Sequence, residues 1–206
     1  MLETERLGNF LKREPHFKID WVQQEDGSLY HKKFGKVKRV VVSLKGKPLF
    51  DSFVFAQEPI SVVVPYAIVE GVMKVVFVVQ ERHPTGELFY EVPGGCSEGQ
   101  GPEETARVEL YEEAGIKAEK FEKIGSVYPD TGFYSTAFSV FATMVKSIDN
   151  LKSHSHEEGE VIERVVALSY KEVVELQKEG KMRSGVTLAA LSQFIMHYPE
   201  FVKSST

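Results

Sequence analysis

The sequence predicts an α+β fold, on three observations. Valine- and phenylalanine-rich runs of strand length, separated by glycine, proline and lysine turns, fill residues 37–80. Residues 102–115, with proline at the start and glycine at the stop, carry the marks of a capped helix. Two more helical segments follow a second group of strands toward the C-terminal end. Strands flanked by helices in this way imply packed layers around a sheet.

Each element follows from local pattern. Runs 37–43 and 48–56 form a hairpin around Gly46, and 60–69 and 72–80, broken at Glu70-Gly71, form two central strands. A glycine-rich turn, Glu91-Val-Pro-Gly-Gly-Cys-Ser-Glu-Gly-Gln100, then leads into the helix. Residues 121–128 and 137–145 continue the sheet, 153–159 form a polar loop, and 161–168 supply a further strand. Ser169 and Glu172 make a capping box that starts a helix ending near Gly180. A last helix runs from about Ser184 to His197 and stops before Pro199. No internal repeat is visible.

Composition narrows the function classes. The chain has 206 residues, enough for one or two compact units, and is 42% hydrophobic with a mean hydropathy of −0.19. A net charge of −5 argues against nucleic-acid or membrane-surface binding, both of which call for a basic face. No 18-residue apolar run occurs, and the start, Met-Leu-Glu-Thr-Glu-Arg, lacks the order of a secretory signal. One cysteine, Cys96, allows no internal disulfide, so a cytoplasmic location is expected. Cys96 itself reads as a small filler of the turn rather than a nucleophile, because no histidine base accompanies it.

The helix carries the chemistry. At 100° per residue, Glu109, Glu112 and Glu113 fall within an arc of about 100°, beside an apolar stripe of Ala106, Leu110 and Ala114. Three carboxylates this close repel one another unless a cation lies between them, and Mg²⁺ takes oxygen ligands of this kind. A solvated acidic face is the plainer alternative. The preceding glycine-rich turn lets backbone approach a phosphate or metal closely, so strand, turn and acid-faced helix together suit a metal–phosphate complex.

In this segment the chain resembles the Nudix hydrolases, whose box reads G-x5-E-x7-R-E-U-x-E-E-x-G-U with U apolar. That register places Gly94 first, then Glu109, Leu110, Glu112, Glu113, Gly115 and Ile116; Gln100 stands where the box has Glu, and Val108 where it has Arg. One acid and one base are absent together, so the net charge of the site is unaltered. Arg107 cannot replace the box arginine, since it lies about 160° around the helix from Glu109. If Gly95 instead is the box glycine, the turn is one residue short. Two readings follow: a working enzyme with a rebuilt supporting shell, which we favour, or a ligand-binding scaffold whose activity has decayed.

Outside the box the likeness narrows to the ADP-ribose and nucleoside-diphosphate-sugar pyrophosphatases. Gln80-Glu-Arg82-His-Pro84 followed by Glu91-Val-Pro93-Gly94-Gly95 is similar to that branch's Q-x-R-x-P and E-[LI]-P-[AG]-G patterns, and Asp130-Thr131-Gly132-Phe133 to its S-P-G-[FY] loop without the Ser and Pro. The likeness covers roughly residues 36–198. It implies a Nudix α/β/α sandwich with a mixed sheet in residues 59–206. Residues 1–58 would form an N-terminal antiparallel hairpin region for dimerisation and substrate contacts. A homodimer is expected from this resemblance.

The implied reaction is Mg²⁺-dependent hydrolysis, with Mn²⁺ an alternative ion, of a nucleoside-diphosphate sugar, ADP-ribose first among them. Metal ligands would be Glu109 and Glu113, Glu112 sharing or bridging ions, and by analogy the Gly94 carbonyl. The branch takes its general base from a loop near the C-terminal strand, where Glu157, Glu158 and Glu160 lie; Glu158 is the narrow choice. Arg82 would grip the diphosphate, because a guanidinium holds two phosphate oxygens at once, with a surface ion pair as the alternative. Glu91 would anchor substrate or Arg82, and Phe133 would contact substrate. A Nudix sensor that binds without turnover and a nucleoside-triphosphate-cleaving enzyme remain the other hypotheses. Phe17 and Trp21 could stack on a base but read better as core or dimer filler. His154 and His156, two apart, lack a third zinc ligand.

Overall fold

The computed structural model describes residues 22–23, 27–31, 35–44, 47–154 and 161–204. The first strands, β1 (Val22–Gln23), β2 (Leu29–His31), β3 (Gly35–Leu44) and β4 (Lys47–Ala56), form an antiparallel four-stranded sheet in that order. The expected antiparallel pairing of the two strands is present, with Leu44 paired to Lys47 and Lys36 to Ala56, while Gly46 lies outside the described residues. Its β-branched and aromatic residues favour extended backbone, and Arg39 and Asp51 form an ion pair across it. Val41, Leu49, Phe50 and Phe53 stay exposed, Phe50 at 59%. The sheet is stitched to the rest of the chain at Phe55. Its N–H donates to the Phe133 carbonyl at 2.7 Å, and its carbonyl accepts the Ser135 N–H at 3.0 Å.

The larger sheet has seven strands. Five run in the order β11 (Ile162–Ser169), β6 (Val72–Arg82), β5 (Ile60–Val69), β10 (Phe138–Met144), β9 (Glu122–Val127). Its pairings are antiparallel except β5 with β10, which makes the sheet mixed. The β5–β6 hairpin is zipped only from Tyr66–Val75 to the turn. Beyond that the strands part, and two short strands enter the gap: β7 (Glu87–Glu91) pairs with β6, and β8 (Gly94–Cys96) with β5. The sequence reading of this stretch as a turn is therefore corrected. Gly94 and Gly95 carry no side chains to show a two-residue period, so only backbone pairing reveals the strand.

Alternation along the central strands builds two cores. Val62, Val64, Val75, Phe77, Val140 and Ala142 face one layer, while Val63, Val76 and Phe141 face the other. The second layer is α1 (Pro102–Ala114), whose Ala106, Leu110 and Ala114 stripe packs there as its spacing predicts. The first is covered by α2 (Tyr170–Lys178), α3 (Gly185–His197) and α4 (Glu200–Lys203). The result is the predicted α/β/α sandwich. Burying each such valine or phenylalanine contributes about 1.5–3 kcal/mol, which outweighs the weak helical propensity of short segments.

The capping box at α2 is complete, Ser169 Oγ accepting from the Glu172 N–H and the Glu172 carboxylate accepting from the Ser169 N–H. α4 was not foreseen. Four residues show no helical period; the fully buried Phe201, edge-on to Tyr170 and Phe194, holds it. Among the described residues, no helix is long and apolar enough to cross a membrane.

Candidate functional site

The split between β5 and β6 places a strand of glycines beneath an acidic helix. β8 lies so close to β5 that a Cβ on Gly94 would sit 2.5 Å from the Ser61 carbonyl oxygen and 2.8 Å from Val62 Cα. Gly95 has the opposite environment. A Cβ there would lie 2.5 Å from Glu109 Cδ and closer still to Oε1, so the carboxylate occupies the space that glycine leaves. One turn on, Glu113 is 1% exposed, and its Oε2 accepts the Gly94 N–H at 2.9 Å. A buried carboxylate without such a donor would be costly. Glu109 and Glu113, four residues apart, thus converge on adjacent main-chain positions.

Glu112 stands half-buried on the same side of α1, and its carbonyl accepts the His154 N–H at 2.6 Å and the Ser153 hydroxyl at 3.3 Å. Among the described residues, no three Asp, Glu, His or Cys side chains group closely enough to hold a metal ion as they stand. The donor chemistry fits a hard dication all the same. Carboxylate oxygens from Glu109 and Glu113 meet β8 at Gly94 and Gly95, where no Cβ obstructs them.

The end of β7 contributes the second cluster. Glu91 Oε2 accepts from Arg82 Nε at 2.7 Å, Arg82 Nη2 at 2.7 Å and Gln80 Nε2 at 3.0 Å. Gln80 and Glu91 are buried, whereas the Arg82 side chain is 45% exposed. The ion pair that is the plainer alternative for Arg82 is thus present, and it is Glu91 that holds the guanidinium. Only Val92 and Pro93 separate Glu91 from Gly94, and the Val92 N–H donates to Thr187 Oγ1 of α3 at 3.2 Å.

Phe133 lies at the joint between the two sheets, 5.9 Å from the Phe55 ring centroid. Its loop is braced by Asp130, whose Oδ1 accepts the Gly132 N–H at 2.7 Å and whose carbonyl accepts the Tyr134 N–H at 2.8 Å. Asp130 thereby restrains the turn through its side chain and its main chain alike. Burial, then Asp130 and Cys96 nearby, hold the Tyr134 hydroxyl above the usual tyrosine range, so it stays a donor. Cys96 is half-buried and packs against the core, with Gln57 Nε2 3.9 Å from its sulfur.

Other expectations resolve as follows. Arg107 faces away, bound to Glu103, Glu104 and the Ala118 carbonyl, with Phe121 beneath it. Glu157, Glu158, Glu160 and His156 lie outside the described residues, as do Phe17 and Trp21. His154 stacks on Tyr111. Gln80 and Thr187 received no role from sequence. Gln80 sits in the Q-x-R-x-P pattern, a usable signal, but Thr187 comes from a helix 95 residues away from Val92 and only packing brings it close. Two open grooves of about 730 and 610 Å³ lie elsewhere, one beside Tyr90 and Leu176, the other beside Tyr66 and Tyr198; neither is lined by these carboxylates.

No curated relative matches the chain. A family model described as NUDIX domain matches residues 60–191.

Proposed function

The chain belongs to the Nudix family, and on that premise we propose that it hydrolyses the diphosphate bond of a nucleoside-diphosphate sugar, with ADP-ribose the foremost substrate, in the presence of Mg²⁺ or Mn²⁺. Family membership supports pyrophosphohydrolase activity in general. The observation that carries the finer reading is the convergence of Glu109 and Glu113 on Gly94 and Gly95, beside the Arg82–Glu91 pair.

In this reading Glu109 and Glu113, with Glu112 and the Gly94 carbonyl, hold divalent ions. Such ions, when bound, offset the repulsion between an attacking oxygen and the phosphate oxygens and lower the pKa of bound water. Arg82 grips the diphosphate with the edge not used by Glu91, and Glu91 with Gln80 keeps that edge pointing outward. Glu158 accepts the proton of the attacking water as the new P–O bond forms and the bridging P–O bond breaks. The products are a nucleoside monophosphate and a sugar phosphate. Phe133 contacts the substrate from the joint between sheets. Residues 1–58 serve dimerisation and substrate contact, residues 59–206 the chemistry. A cytoplasmic homodimer is part of the proposal, supported by the single cysteine and by exposed Val41, Leu49, Phe50 and Phe53 on the N-terminal hairpin.

A second reading, a Nudix module that binds ADP-ribose without turnover, draws on Gln100 and Val108. One assay separates the two: phosphate release after added phosphatase, across ADP-ribose, sugar nucleotides and dGTP, under Mg²⁺ and Mn²⁺ titration. Turnover of ADP-ribose above dGTP supports the first. Binding without turnover at saturating metal supports the second, and preferential cleavage of dGTP overturns both.

A further inference from the structure

The last turn of α1 carries Glu112 and Glu113, and a helix leaves its final carbonyls without intrahelical partners. Gly115, at φ +70°, turns the chain back: its N–H reaches the Tyr111 carbonyl at 2.9 Å, and the Ile116 N–H reaches the Leu110 carbonyl at 3.4 Å. The Glu112 carbonyl is satisfied from elsewhere. The strap 152–154, far along the chain, supplies the His154 N–H at 2.6 Å and the Ser153 hydroxyl at 3.3 Å, the latter from 41 residues away.

The His154 side chain fixes where the strap sits. Its ring stacks on Tyr111, centroids 5.2 Å apart and planes 13° from parallel, and the Lys117 ammonium lies 4.8 Å from the centroid of the same tyrosine ring. The seat is close-fitting: a Cβ on Gly115 would lie 2.6 Å from the Lys152 carbonyl oxygen and 3.0 Å from the His154 ring. Glycine at 115 therefore meets two demands, the left-handed turn and the room for the strap.

We infer that His154 is a positioning residue: its stack on Tyr111 holds the strap over the last turn of α1 and so sets the main chain from which Glu112 and Glu113 project. This rests on the reading of those glutamates as ion ligands. Groups that orient ligands in this way alter metal affinity by about tenfold or more when removed.

The test is Mn²⁺ binding to the substrate-free protein, followed by loss of the free-ion electron paramagnetic resonance signal, for wild type, His154→Ala and His154→Phe, with unfolding midpoints alongside. The inference expects about tenfold weaker Mn²⁺ binding for His154→Ala with a folded protein, and recovery in His154→Phe, which keeps a stacked ring. Amide exchange at position 154 should quicken in the alanine variant only. Equal Mn²⁺ affinity for wild type and His154→Ala overturns the inference and leaves the hydrolase reading intact. Failure of His154→Phe to recover also overturns it, since the ring stack would not be the operative contact. Wild type that binds no Mn²⁺ overturns the hydrolase reading, and the inference with it.

Discussion

Replacing Gly95 by alanine separates fold from function at one carbon atom. The new Cβ would lie 2.5 Å from Glu109 Cδ, where unstrained carbons sit about 3.5 Å apart or more. The carboxylate must withdraw by about 1 Å. Because it is the far end of a flexible side chain, and Gly95 is not among the glycines at positive φ, the fold has little to lose. Catalysis has more: a displacement of about 1 Å in a reacting constellation costs about 10²-fold. Gly95→Ala should therefore keep the wild-type unfolding temperature within about 2–4 °C, corresponding to about 1 kcal/mol, while kcat for ADP-ribose falls about 100-fold. Gly94→Ala is the contrasting partner. Its Cβ would meet the Ser61 carbonyl and Val62 Cα, which are backbone and cannot swing aside, so a loss of about 3 kcal/mol, or roughly 6–12 °C, is expected. Steady-state kinetics and thermal denaturation of the two variants decide the matter. Wild-type turnover in Gly95→Ala would refute the placement of Glu109 at the reacting centre, and unfolding of that variant would refute the expectation that the Glu109 side chain gives way before the backbone does.

Further outcomes are expected at other positions. Glu113→Gln retains an oxygen to accept the Gly94 N–H, so its melting curve should match wild type while turnover in Mg²⁺ drops more than about tenfold; undiminished turnover would remove Glu113 from the ion site. Glu91→Gln replaces the charged acceptor of Arg82 and should raise KM about tenfold, equivalent to about 1.4 kcal/mol, with a smaller effect on kcat; kinetics across an ADP-ribose series will show it. Ser169→Ala removes the cap of α2 and should cost about 1 kcal/mol by urea denaturation. The Ser169 main-chain N–H and hydroxyl, which donate to Glu172, hold its carboxyl below the usual glutamate range. Its contribution is thus complete above about pH 4.3 and lost as pH falls through the lower folded-state value. The stability difference between wild type and Glu172→Gln should shrink in that window. Restoring Glu at 100 and Arg at 108, singly and together, should show non-additive gains in kcat if the two act as a pair.

Much of this protein could be read along the chain because the relevant forces are local. The period of Ala106, Leu110 and Ala114, the cap at Gly115, the box at Ser169 and Glu172, and the Glu70-Gly71 break each act over a few residues. The shared face of Glu109, Glu112 and Glu113 needed only helical geometry. Gln80 was legible as part of a pattern but not as the third donor to Glu91. Strand β8 was not legible, since two glycines leave no side-chain alternation to detect.

By itself, then, the chain determined its three longer helices, its long strands, and which three glutamates share one face of α1, since these follow from 3.6- and 2-residue periods and from turn chemistry. Tertiary structure decided the rest. It parted β5 from β6 so that β7 and β8 could enter, set Glu109 against Gly95 and Glu113 on the Gly94 N–H, and drew the Val92 N–H to Thr187 and the Glu112 carbonyl to His154. Those contacts join residues far apart in sequence, and buried polar groups seek partners wherever packing brings them, a demand that no local pattern encodes.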